Sequence, residues 1–150
     1  MEKELIGTGS VWETDYPYTK GARAPWTPIC KVKIPGANLI FIAGQVAYDD
    51  RGRIVVPDSM KAQAGLAYAN LKHALEAAGA RASDIVCERI YVVKEHMHHF
   101  MTRGARIRDK WFADNGVPND KLPPMTLLGV ARLSHLDLVL EVEVIAVTEA

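Results

Sequence analysis

The chain has 150 residues, enough for one domain that buries about two thirds of the surface its unfolded form exposes. Apolar residues make up 49% and charged residues 24%, the balance of a globular protein rather than a disordered or fibrous one. Lys plus Arg and Asp plus Glu are 18 each, which leaves no basic footprint for nucleic acid and no polybasic patch for a membrane.

Residues 1–28 read as an irregular N-terminal arm of a single domain spanning 1–150. Trp12, Tyr16, Pro17, Tyr18, Pro25, Trp26 and Pro28 make it rich in aromatics and prolines, so it is expected to pack on a neighbouring surface. The first ten residues hold no apolar signal core, and the longest apolar runs, such as Leu39–Ala43, are too short to span a membrane. Cys30 and Cys87 are far apart in sequence and imply neither a disulfide nor a zinc site. The reading is a cytoplasmic protein with reduced thiols.

Ile29–Ile34 reads as a short strand closed by the turn Pro35-Gly36. Asn38–Val46 is a continuous apolar run expected as a central strand buried on both faces, with Gly44 marking a bulge or a close backbone approach. Asp58 or Ser59 caps a predicted helix to about Ala78, whose apolar positions Met60, Ala64, Ala67, Leu71, Ala74 and Leu75 keep helical spacing; Gly79 ends it. Ile85–Val93 is the next strand. A second helix is expected from about His98 to Asp114, with Phe100, Gly104, Ile107 and Trp111 on one stripe. Pro124–Arg132 and Leu138–Val147 are the closing strands. The order β-β-α-β-α-β-β implies an α+β fold: one mixed sheet with both helices on one face. The other sheet face needs a cover, and a second copy of the chain is the natural one.

Along Leu138–Val147 the even positions are all apolar and face the core. Glu141 and Glu143 share the opposite face with Val139, Ile145 and Val147, about 7 Å apart along the strand. Two carboxylates on such a mixed face either pair with arginines at an interface or hold a water for general acid–base hydrolysis. The histidines of Glu95–His99 lack a metal-ligand spacing and read as surface residues, so no metal is expected.

Asn38–Val46, Ala67–Ala80, Asp84–Val86, Tyr91–Val93, Gly129–Leu133 and Leu140–Val147 together resemble the Rid (YjgF) family of imine and enamine deaminases. The resemblance implies a homotrimer of chorismate-mutase-like α+β subunits with small-molecule ligands in clefts between subunits, no metal and no organic cofactor. It implies hydrolysis of 2-aminoacrylate-type intermediates to keto acids and ammonia. In the active members a glutamate on the last strand positions the water; here that is Glu141. Their substrate-binding arginine falls on Met125, a serine falls on Ala43 beside Gly44, and a tyrosine falls on Ile29. Losing a bidentate clamp on a carboxylate removes on the order of 2–5 kcal/mol of binding. So this chain reads as a divergent member and not the standard 2-aminoacrylate deaminase. Either its ligand lacks a carboxylate, or Arg23, Arg103, Arg106 or Arg108 replaces the arginine. Backbone groups near Gly44 and at Thr126 and Leu127 are candidates to polarise a substrate, and Trp26 and Trp111 to wall a cleft. The readings left open are a hydrolase of C=N or enamine bonds, a non-catalytic small-molecule-binding or regulatory trimer, and a pathway-specific deaminase such as one for an aminomuconate-type product.

Overall fold

Strand-forming segments separated by turns build one six-stranded sheet in the computed structural model, which describes residues 1–15, 23, 24 and 26–150. The strands are β1 (Glu2–Ile6), β2 (Ile29–Ile34), β3 (Ala37–Gln45), β4 (Ile85–Val93), β5 (Met125–Val130) and β6 (Leu140–Glu149). Their order across the sheet is β1-β2-β3-β6-β4-β5. Only β4 and β5 run parallel, joined across the second helix, so the sheet is mixed, as the element order predicts.

The first strand departs from the expected irregular arm. Glu2–Ile6 pairs antiparallel with β2, Glu2 opposite Lys33 and Ile6 opposite Ile29, so the arm is not irregular throughout. Four of its five residues are exposed, which leaves no hydrophobic run to betray an edge strand. Tyr16, Pro17, Tyr18 and Pro25 of the arm lie outside the described residues.

Helix α1 (Met60–Ala77) begins where Ser59 accepts from the Ala62 N–H, and Gly79 follows its end in the left-handed region. The second helix starts as α2 (Met97–His99), widens into a π turn at Phe100–Gly104 and continues as α3 (Ala105–Asp114). Both helices cover one face of the sheet. Ile40, Ile42, Ile90, Val92, Leu140, Val142, Val144 and Ala146 from the strands meet Ala64, Tyr68, Leu71, Leu75, Phe100 and Phe112 from the helices. Small residues on α1, Ala64, Ala67 and Ala74, are fully buried and let the helix lie close to the strands.

A buried polar knot ties this layer together. Tyr68 Oη donates to Glu88 Oε1 at 2.6 Å, and Arg108 Nε donates to Glu88 Oε2 at 2.7 Å. Burial raises the Glu88 carboxyl, and the Arg108 charge with these hydrogen bonds opposes that rise. No helix among the described residues is long and apolar enough to cross a membrane.

Candidate functional site

From Leu140 to Val147 on β6 the alternation is the one expected; Val139, expected on the face of Glu141, precedes the strand and is instead buried in the core. Leu140, Val142, Val144 and Ala146 are buried, while Glu141, Glu143, Ile145 and Val147 are half-buried on the face away from the helices. The two glutamates then diverge. Glu143 lies opposite Arg89 and accepts from Arg89 Nη1 at 2.6 Å and from Tyr91 Oη at 2.9 Å, so both its oxygens are engaged. Glu141 has no hydrogen-bond or ion-pair partner among the described residues, and it lines a cavity of about 540 Å³. Burial holds its carboxyl above the ordinary glutamate range, and the negative charge of Glu143 pushes it the same way.

The strand beside it is shaped to receive that carboxylate. β3 carries one extra residue between Ile42, opposite Val144, and Gln45, opposite Val142. Gln45 Nε2 donates to the Ala43 carbonyl at 2.9 Å, and the Ala43 N–H donates to the Pro28 carbonyl at 2.8 Å, which fixes the bulge from both sides. Glu141 packs onto Gly44. A Cβ built there would overlap the carboxylate and sit 2.6 Å from Glu141 Cγ. Gly44 therefore marks both a bulge and a close approach, and here the approaching group is a side chain.

The rest of the cavity wall comes from the N-terminal arm, the loop after β3, α1 and Ser134. Trp12 and Trp26 lie side by side, centroids 6.2 Å apart and planes at 37°. From α1, Asn70 Nδ2 donates to the carbonyls of Val46 and Tyr48 at 2.9 and 2.8 Å, which holds the loop after β3 against the cavity. His73 Nε2 lies 2.8 Å from the Thr8 carbonyl and ties the arm to the same helix. Asp49 also lines the cavity, but its carboxylate is taken by Arg53 and by the backbone N–H groups of Arg51 and Arg53. Gln63, fully buried, accepts from the Val139 N–H at 2.9 Å and donates to the Asp137 carbonyl at 2.6 Å, anchoring the chain two residues ahead of Glu141.

Of the residues singled out from sequence, the single chain brings together Glu141, Ala43, Gly44 and Trp26. The others lie elsewhere. Met125, Thr126 and Leu127 are on edge strand β5, two strands across from Glu141, with Met125 in register with Glu88. Ile29 has no exposed surface and belongs to the core. Trp111 packs on Tyr68 and Phe112 at 5.2 and 5.0 Å on the helix side. Arg108 is buried against Glu88, and Arg23, Arg103 and Arg106 are exposed and do not line the cavity. The sequence reading missed Asn70, His73 and Gln63. Asn70 and Gln63 sit in the interior of α1, where a short polar side chain is disfavoured or a buried amide unusual, and that was the available signal. Among the described residues no group of three or more His, Cys, Asp or Glu side chains is placed to hold a metal ion.

A mixed six-stranded sheet backed by two helices, with a carboxylate that has no partner among the described residues over a glycine bulge, defines an α+β protein with a small-molecule-sized cavity. The chain belongs to the family described as endoribonuclease L-PSP, whose family model matches residues 21–148. A RutC family protein of Haemophilus influenzae is 34% identical over 110 residues, covering 73% of this chain and 79% of that one. A RutC family protein of Pyrococcus abyssi is 28% identical over 149 residues, covering 99% and 100%. The solution structure of a hypothetical protein from Haemophilus influenzae superposes with a TM-score of 0.75 at 29% identity, covering 99% of each chain. The crystal structure of E. coli TdcF with bound serine superposes at 0.72 and 23% identity, over 97% of this chain and 98% of that one, a likeness of fold.

Proposed function

We propose that this protein is a hydrolase of small imines or enamines, working without metal or organic cofactor at the Glu141 cavity of a homotrimer. One observation carries the reading: Glu141 is a carboxyl with no partner among the described residues, held above its ordinary protonation range inside a cavity. A carboxyl of that kind serves both directions of proton transfer, because general acid–base catalysis is most efficient when the group's pKa approaches the working pH. As carboxylate it takes a proton from water, and the hydroxide equivalent adds to the carbon of the C=N bond. The resulting carbinolamine accepts that proton on nitrogen and expels ammonia while its hydroxyl proton passes back to Glu141, leaving a carbonyl; the released ammonia then takes that proton. In balance, the imine and a single water give the carbonyl compound and ammonia, with no oxidant or second substrate. The Gly44 bulge sets the carboxylate's position, and Glu143, locked by Arg89 and Tyr91, supports the strand.

The open face of the sheet supports the homotrimer. Cys30, Phe41, Ile145 and Cys87 lie in one row across four strands, and Phe41 is 41% exposed, an apolar surface that a second copy would cover. RNA cleavage is disfavoured by the chain's zero net charge and by the lack of Lys or Arg among the described residues lining the cavity. The test is ammonia release from imines generated in situ: Glu141→Gln lowers the rate by roughly 10²–10⁴-fold, the scale of a lost general acid–base. Undiminished turnover in that variant removes Glu141 from the mechanism.

A second reading, a non-catalytic binding trimer, draws on the state of the other titratable groups. His73 is held by Thr8 and Asp49 by Arg53, so neither stands ready as a partner acid for Glu141. That reading expects ligand-induced thermal stabilisation and no ammonia from any imine.

A further inference from the structure

The two carboxylates of β6 share one sheet face at the spacing of alternate strand residues, about 7 Å. Their neighbours on β4 make them differ. Tyr91 stands directly opposite Glu141, and Arg89 directly opposite Glu143. The Tyr91 hydroxyl nevertheless donates to Glu143 Oε2 at 2.9 Å, past the residue it faces, while Arg89 Nη1 donates to Glu143 Oε1 at 2.6 Å. Glu143 is thereby fixed at both oxygens, and Glu141 faces the cavity with a fixed charge beside it on its own strand. That charge and burial both favour the protonated form of Glu141. The other titratable side chains on the described cavity wall are His73 of α1 and Tyr48, Asp49 and Asp50 of the loop after β3. His73 is tied to the Thr8 carbonyl and Asp49 to Arg53, which leaves Asp50 as the competing anion. β3 contributes Ala43, Gly44 and Gln45, none of which titrates.

We propose that Glu143 is a positioning residue for the chemistry at Glu141: a carboxylate held in place by Arg89 and Tyr91, whose charge sets the pH at which Glu141 takes up and gives back its proton. The inference rests on Glu141 being the acid–base group of the cavity, and it names what regulates that group. Glu143 touches no reacting atom; it acts through its field. Because Arg89 and Tyr91 hold both of its oxygens, the two carboxyls do not close on a shared proton, and Glu141 titrates as the base.

The test follows the Glu141 titration in two ways. The acid limb of kcat/KM for ammonia release reports it through turnover. Carboxyl carbon NMR of the full-length protein, with the signal assigned by its loss in Glu141→Gln, reports it without turnover. Glu143→Gln keeps the shape and removes the charge. Its midpoint is expected about 0.4–1.7 pH units below the parent's, the Coulomb effect of a unit charge about 7 Å away at a dielectric between those of water and a protein surface. Glu143→Asp keeps the charge and holds the midpoint near the parent's. Asp50→Asn moves it less than Glu143→Gln does. Melting curves confirm that each variant is folded. In the parent itself, raising salt from about 0.01 to about 1 M lowers the midpoint, because screening weakens the repulsion, and this arm needs no variant of Glu143. An unmoved midpoint in Glu143→Gln, an equal fall in Glu143→Asp, a larger fall in Asp50→Asn, or a parent midpoint indifferent to salt overturns the inference. A merely structural Glu143 would change melting and leave the midpoint in place. Coincident NMR midpoints in a chain whose ammonia release still depends on Glu141 remove only this inference. A shifted NMR midpoint in a chain that never releases ammonia removes only the catalytic reading.

Discussion

Replacing Gly44 with alanine probes the one contact on which the site geometry depends. The new methyl would overlap the Glu141 carboxylate and sit 2.6 Å from its Cγ, far inside the roughly 3.5–4.0 Å at which nonbonded carbons rest. Rotating only the carboxylate does not relieve a clash that reaches Cγ, so the whole side chain must leave its rotamer or the bulge must shift. Overpacking of this kind costs about 1–3 kcal/mol. Displacement of a catalytic group by an ångström costs about a hundredfold in rate. The backbone at position 44 is not in the left-handed region, so alanine itself is tolerated there. The cost should therefore vanish when Glu141 is shortened. In a Glu141→Ala background the same Gly44→Ala change becomes neutral or stabilising by about 0.4–1 kcal/mol, because alanine restricts the unfolded chain. Urea unfolding of the four proteins of this cycle measures the coupling, and ammonia release measures the displacement. Equal destabilisation in both backgrounds, or wild-type turnover in Gly44→Ala, refutes the account.

Gln63→Leu leaves the buried Val139 N–H without its acceptor and is expected to cost about 1–3 kcal/mol in urea unfolding, with a rise in KM because the segment leading into Glu141 loosens. Arg108→Ala strands the fully buried Glu88 carboxylate and should lower stability by about 3–5 kcal/mol, whereas replacing both partners with apolar residues of similar volume should cost much less. The raised carboxyl of Glu141 makes stability fall as pH rises. The native state keeps that proton to higher pH than the unfolded chain, so the loss begins at the ordinary glutamate value and is complete above the raised native one. Glu141→Gln removes this slope: it should melt above the parent at neutral pH, with the gap closing below about pH 4. Parallel melting curves for parent and variant across that range would contradict the assignment.

The closing strand was legible because it obeys a two-residue period against one buried face, whereas Asn38–Val46, read from its unbroken apolar run as buried on both faces, leaves Phe41 41% exposed on the face away from the helices. Ile85–Val93 has the predicted boundaries, and the buried–half-buried alternation of β6 follows the sequence position by position. Helix α1 was legible from its spacing, its Ser59 cap and Gly79. The strand at Glu2–Ile6 was not, because an exposed edge strand is held by backbone pairing that carries no side-chain pattern. The π turn at Phe100–Gly104 was hidden for a related reason: a single widened turn shifts the stripe by less than the spacing of the apolar residues reveals.

The amino-acid sequence by itself determined the α+β class, the inward face of the last strand and the presence of two carboxylates side by side on it. These follow from local periodicity. What separates Glu141 from Glu143 is decided only in three dimensions. Arg89 and Tyr91 stand across from Glu143 because β4 pairs with β6 in one register, and the extra residue in β3 brings Gly44 beneath Glu141. The arm and α1 then close a cavity over Glu141, which has no partner among the described residues. Identical side chains two residues apart thus acquire different environments, since protonation and reach depend on burial and on neighbours from distant parts of the chain.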